Sequence, residues 1–255
     1  MSGLLKRIDT AIDSRIRMND IWRETRDGRS VWVKRRRQSS GWLVSGANLF
    51  FRLTGARVRI CSETDWQQWE VNCFQRLYGD HLRATAEGAD TIWADHVPGV
   101  SLCDFIKKGQ LTEGMLRAGG RELARAHQIW CPEFSGSWSH GDLILENIIY
   151  DGAADRARLI DFETIHDCAW PANDRHADDL LVLLLDLAGQ ISGDRWADAA
   201  GHIVQAYGRP EVLSVLKRRL VSPQGLARVW WAFRTSYLPS AERHRRMELL
   251  RSQLP

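Results

Sequence analysis

Between Ser139 and Asp167 the chain reads SHGDLILENIIYDGAADRARLIDFETIHD, and no other stretch limits the fold as much. Two apolar runs, Asn147 to Tyr150 and Ala157 to Phe162, flank the polar turn Asp151-Gly152-Ala153-Ala154-Asp155, which is the pattern of an antiparallel hairpin. Folding about residue 154 sets Asn147 opposite Asp161, so that an amide oxygen and a carboxylate face one small volume. Both are hard oxygen donors suited to Mg2+, an ion that keeps several waters and shares phosphate oxygens with a nucleotide. Asp142 lies in the loop entering the hairpin and addresses the same volume as a base for an attacking hydroxyl. His140 beside it is expected to brace the loop through hydrogen bonds rather than to carry protons.

The rest of the chain supplies a frame around this stretch. Asp20 to Lys34 reads as two alternating strands around Asp27-Gly28, with Lys34 ending the second. Gly41 to Gly55 is apolar with small residues, a short helix or surface-seeking insert. Ser62 to Gly79 is a helix with Ser62 or Thr64 as its N-cap and a glycine stop. Trp66, Cys73, Phe74 and Leu77 fall on one face of it, and Glu70 projects from that same face. A carboxylate inside an apolar stripe is costly unless a cation meets it, so an ion pair is expected there. Thr91 to Val97 is a strand leading into Pro98-Gly99, a turn suited to a hinge, and helices dominate beyond it, among them Leu111 to Ile129 and Arg175 to Gly189.

The catalytic stretch resembles a family. His140-Gly141-Asp142 followed by Asn147 is similar to the catalytic loop of kinase-like phosphotransferases, and Ile160-Asp161-Phe162-Glu163 resembles their metal-binding segment. Gly141 and Glu163 are closer to the small-molecule kinases than to protein kinases. The resemblance implies an α+β, two-lobed fold, with a small β-sheet lobe over residues 1–97 and a mainly helical lobe over 98–255. It implies ATP and Mg2+ as cofactors, with Asp142, Lys34 and Glu70 in the catalytic machinery. Lys34 would hold the nucleotide phosphates with Glu70 as its partner, Asn147 and Asp161 would hold the metal, and the Asp95 carbonyl and Val97 amide would meet adenine. Asp179 or Asp178 would brace the catalytic loop from the following helix. VKRRR, Gly41-Trp42, NLFFRLTGA, Trp69-Glu70, HGDLILEN and LIDFE together resemble the lipopolysaccharide core kinases, which phosphorylate heptose or Kdo sugars. That likeness covers roughly residues 20 to 180, and the tail adds no motif. It implies a cytoplasmic enzyme with peripheral contact at the inner face of the inner membrane, acting on a glycolipid acceptor.

The chain departs from the pattern in two places. No glycine-rich loop precedes Lys34, and Ile144 stands where protein-directed kinases carry a lysine two residues after the catalytic aspartate. A soluble kinase of aminoglycosides or choline-like acceptors, and a catalytically inactive scaffold of the same fold, are therefore the competing readings. Composition narrows the field further. The net charge of +3 is too small to imply a nucleic-acid partner, although Lys34 to Arg37 with Arg52, Arg57 and Arg59 make the N-terminal third locally basic. Five scattered cysteines without metal-ligand spacing fit core positions in a reducing compartment. His166, His176, His202 and His244 have no ligand spacing either, and neither a leader at MSGLLKRIDTAID nor a membrane span is expected.

Overall fold

The computed structural model describes residues 18–37 and 40–254. Residues 1–17, 38–39 and 255 lie outside the described residues, and with them the N-terminal segment read as lacking a leader and the outer ends of the two expected lobes. The architecture is α+β, with a helical majority and small antiparallel sheets. The chain divides into two compact units, the first running to Phe50 and then over Ile60–His96, the second taking Phe51–Arg59 and everything from Val97.

The first unit starts with the expected hairpin, β1 (Asn19–Arg26) and β2 (Arg29–Arg36). Its turn holds Asp27 at φ 48° and Gly28 at φ 74°, the paired left-handed geometry that the Asp-Gly dipeptide supports. The second strand runs two residues past Lys34, because Arg35 and Lys34 still pair with Thr91 and Ile92. Of the helix or surface-seeking insert expected over Gly41 to Gly55, the helix is found, α1 (Ser40–Thr54). After β3 (Val58–Ile60) comes α2 (Glu63–Tyr78), where the Ser62 hydroxyl accepts the Asp65 N–H at 3.2 Å and resolves the choice of N-cap. β4 (Ala84–Glu87) and β5 (Thr91–Asp95) complete a sheet of order β1-β2-β5-β4. Val31, Val33 and Ile92 from the sheet and Trp66, Trp69, Cys73, Phe74 and Leu77 from α2 are buried, so the helix's apolar stripe is its core face.

The second unit opens with β6 (Val100–Ser101), α3 (Leu102–Lys107) and α4 (Glu113–Ala126). The short pair β7 (Trp130–Cys131) and β8 (Gly136–Ser137) precedes the stretch from Ser139 to Asp167. There β9 (Ile148–Asp151) and β10 (Arg156–Leu159) form the expected hairpin, extended by β6 into a three-stranded sheet, and β11 (Thr164–His166) pairs with β3. Five helices follow: α5 (Ala172–Gln190), α6 (Arg195–Tyr207), α7 (Pro210–Arg219), α8 (Ala227–Arg234) and α9 (Ser240–Gln253). Leu180, Leu183, Leu184, Leu185 and Leu187 of α5 are sealed from solvent, and Trp138 and Trp196 are fully enclosed, which sets the hydrophobic core of this unit around α5.

The hairpin register differs from the expectation. Ile148 pairs with Leu159 and Tyr150 with Ala157, so Asn147 stands opposite Ile160, whose N–H donates to the Asn147 carbonyl at 3.0 Å. The turn, with Asp155 at φ 44°, shortens the fold-back relative to one centred on residue 154. Asp161 therefore lies two residues beyond the last ladder pair, Ile148 with Leu159. Four cysteines are buried and Cys168 is exposed, all as free thiols, and no described helix is long and apolar enough to cross a membrane.

Candidate active site

The loop from Ser139 to Asn147 is held from behind by one carboxylate. Asp179, fully buried on α5, accepts the His140 N–H on Oδ2 and the Gly141 N–H on Oδ1, each at 2.8 Å. This resolves the brace in favour of Asp179, because Asp178 is engaged elsewhere, with Arg219 at 3.0 Å and His166 at 3.4 Å. Gly141 sits at φ 86°, and a Cβ there would come within 2.8 Å of the Thr164 hydroxyl, so glycine is required on both counts. Burial alone would raise the Asp179 carboxyl; the neighbouring imidazoles, His166 foremost and His127 through its hydrogen bond, outweigh it and hold the group well below the ordinary carboxylate range.

Behind the brace lies a layer of buried imidazoles. His127 reaches Asp179 Oδ2 through Nε2 at 3.0 Å and the Tyr207 hydroxyl through Nδ1 at 2.8 Å, and its ring stacks on His176 at 3.9 Å. Desolvation keeps His127 below its ordinary pKa and takes His176 down to about 2, with His127 adding to the latter shift. The same burial pushes the Tyr207 phenol up. His127 therefore donates from Nε2 to Asp179 and accepts the Tyr207 O–H on Nδ1.

His140 is placed as the brace that its position suggested. Its Nδ1 receives the Asp142 N–H at 3.4 Å, which leaves Nε2–H to donate to the Ile160 carbonyl at 3.0 Å. That bond ties the loop to the residue before Asp161. Asn147 closes the loop from its other end, donating from Nδ2 to the Asp142 carbonyl at 2.9 Å. With its donor so used, the Asn147 side-chain oxygen is turned away from that carbonyl as an acceptor. Asp161 has φ 68°, in the left-handed region where a residue other than glycine is strained. An amide oxygen and a carboxylate on a clamped loop and a clamped kink fit a hard cation such as Mg2+ that takes its remaining ligands from phosphate and water. Among the described residues no group of three or more His, Cys, Asp or Glu is placed to hold a metal ion.

In the first unit the odd glutamate of α2 meets its cation. Lys34 Nζ lies 3.1 Å from Glu70 Oε2 and 3.3 Å from Oε1, with Lys34 only 7% and Glu70 only 3% exposed. Trp66 Nε1–H donates to Glu70 Oε2 at 2.8 Å, fixing the carboxylate from the preceding turn. Asp95 ends β5, and its carboxylate accepts the Arg83 N–H at 3.0 Å. Val97 is buried and begins the second unit.

Two residues near Asp142 escaped the sequence reading. Asp186 of α5 accepts the Leu145 N–H at 2.8 Å, and Gln190 donates to its other oxygen at 2.9 Å; burial raises its pKa against those bonds. A charge inside the apolar run Leu180 to Leu187 was the available signal. Arg234 of α8 places Nη1 2.5 Å from Asp142 Oδ1, although its segment carries no motif. One concavity of about 700 Å3, lined by Arg117, His202 and Leu213 among others, contains none of the candidate residues.

No family model and no curated protein sequence matches the chain. Among solved structures it is similar to the bifunctional kinase-methyltransferase WbdD, at 17% identity and a TM-score of 0.35, over 75% of this chain and 46% of that one. A likeness of that size has no bearing on what the chain does, and the chain spans under half of the other protein's length.

Proposed function

We propose that the chain is a kinase-like phosphotransferase that moves the γ-phosphate of ATP to the hydroxyl of a sugar. The observation that carries this reading is the clamped loop: one buried carboxylate on two successive backbone N–H groups, His140 on the Ile160 carbonyl, and Asn147 on the carbonyl of Asp142. Such bonding fixes one carboxylate and one amide oxygen in direction, which is what positioning catalysis needs.

In this reading Asp142 takes the proton of the acceptor hydroxyl as its oxygen bonds to the γ-phosphorus, and the bond from that phosphorus to the bridging oxygen breaks to release ADP. Asn147 and Asp161 would hold Mg2+, which supplies positive charge against the phosphate oxygens. Lys34, oriented by Glu70, would bind nucleotide phosphates, with the Asp95 carbonyl and Val97 amide addressing adenine.

A lipid-linked acceptor, of the lipopolysaccharide core type, is favoured over a freely soluble one by the outer face of the second unit. Leu226, Val229, Phe233 and Tyr237 are about half exposed or more, as is Leu53, and Arg52 and Arg228 are exposed with them. Apolar side chains interleaved with arginine suit an anionic amphiphile or membrane surface. Transfer of labelled phosphate from ATP to lipopolysaccharide core fragments, free sugars and unrelated proteins, with sedimentation on anionic vesicles, tests both parts. Transfer to the core fragments together with vesicle binding is expected. Transfer only to free sugars or aminoglycosides without vesicle binding would favour the soluble alternative, and no Mg-ATP binding by thermal shift would leave a scaffold.

A further inference from the structure

The loop around Asp142 carries no lysine or arginine of its own. From His140 to Asn147 it reads HGDLILEN, with Ile144 two residues after Asp142. Asp186 of α5 adds a second carboxylate to this loop by accepting the Leu145 N–H at 2.8 Å, and Asp142 raises its pKa while Arg234 lowers it. Arg234 comes from the last turn of α8, far along the chain, and its side chain is only 10% exposed. Its guanidinium lies over the Trp230 ring at 4.2 Å, and Trp230 in turn meets the edge of Phe51 at 5.3 Å, so the cation is held by aromatic packing. Nη1 touches Asp142 Oδ1, while the buried Nε has no hydrogen-bond partner. The Asp142 contact is an ion pair, Nη1 to Oδ1 at 2.5 Å. A buried guanidinium with donor capacity unspent, aimed at the base, is arranged for a partner that arrives with substrate.

We propose that Arg234 is the positioning residue of Asp142 and contacts the transferred phosphoryl group, supplying from α8 the positive charge that the loop lacks at Ile144. This rests on the phosphotransferase reading. As the acceptor oxygen bonds to phosphorus and its proton passes to Asp142, charge on the equatorial phosphoryl oxygens is met by Arg234, and the bond to ADP breaks. The guanidinium fork can satisfy a carboxylate and a phosphoryl oxygen together, which an ammonium does less well.

The test uses the full chain, with Mg-ATP and water as the acceptor, following phosphate release. Arg234→Ala and Arg234→Gln are expected to lower kcat about 100-fold with KM for ATP changed less than about threefold. Arg234→Lys should recover part of kcat, free guanidinium should rescue Arg234→Ala but not Asp142→Asn, and the double variant Asp142→Asn/Arg234→Ala should be no slower than Asp142→Asn. Wild-type kcat in Arg234→Ala, alongside an inactive Asp142→Asn, overturns the role of Arg234 and leaves the phosphotransferase reading standing. So does a loss in Arg234→Ala that tracks a fall in Tm and answers to neither lysine nor guanidinium. No turnover and no Mg-ATP binding in the unaltered chain would overturn both.

Discussion

Asp179 holds Gly141 in place: its Oδ1 accepts the Gly141 N–H at 2.8 Å from a position with no solvent access. Its other oxygen takes the His140 N–H at the same distance, so one side chain fixes two peptide units of the loop. Asp179→Ala leaves both N–H groups buried without acceptors, a cost of about 3 kcal/mol or more. Denaturant unfolding should register that loss, and ATP turnover should fall with it. Gly141→Ala, strained at its φ of 86° and pressed against Thr164, should lose about 1–3 kcal/mol by the same assay.

Asp142→Asn and Asp161→Ala should each reduce phosphate transfer by roughly three orders of magnitude or more. Asp161 offers a sharper comparison. At φ 68° alanine is strained where glycine is not, so Asp161→Gly should unfold at higher denaturant than Asp161→Ala, by about 1 kcal/mol, with both inactive. Equal stability of the two variants would argue against the kinked backbone.

Lys34 and Glu70 form a buried pair at 3.1 Å. Removing one charge strands the other in a low-dielectric setting, so Lys34→Ala or Glu70→Ala should each destabilise by about 3–5 kcal/mol. Lys34→Met/Glu70→Leu together should cost less than either alone. Thermal unfolding separates the structural cost from the nucleotide effect, which appears as a higher KM for ATP in Lys34→Met/Glu70→Leu.

His127 and His176 impose a pH dependence. Both have folded pKa values below the ordinary 6.5, through burial first and then, for His176, through its stacked neighbour. Below pH 6.5 the unfolded chain takes up protons that the folded chain refuses, so stability falls as the pH falls, by up to about 1.4 kcal/mol per unit for each histidine. For His176 the loss continues toward about pH 2. Unfolding at pH 7 and pH 5 should show it, and His176→Gln should narrow the difference.

Much of this arrangement is legible in the chain itself, for local reasons. Asp27-Gly28 encodes its hairpin turn, Ser62 its cap, and Glu70 announces its cation by occupying an apolar face. The hairpin after Asn147 is readable as two runs around a polar turn, but its register is not. The positive φ at Asp155 shifts the pairing by one and leaves Asp161 outside the ladder. Helix α1 covers nearly the stretch read for it, Ser40–Thr54 against Gly41 to Gly55, because glycine in a helix costs only about 1 kcal/mol. Arg234 and the imidazole layer were beyond local reading, since a long-range contact leaves no period or spacing in the sequence.

Every motif that marks the catalytic stretch lies before α5 ends, yet the counter-ion of Asp142 comes from α8. A shortened version ending after Gln190 would keep each recognisable signature while Asp142 stood without its cation. Searches keyed on those signatures would then accept a molecule whose electrostatics had been cut away, and chimeras joining this loop to a foreign helical tail would inherit the same defect.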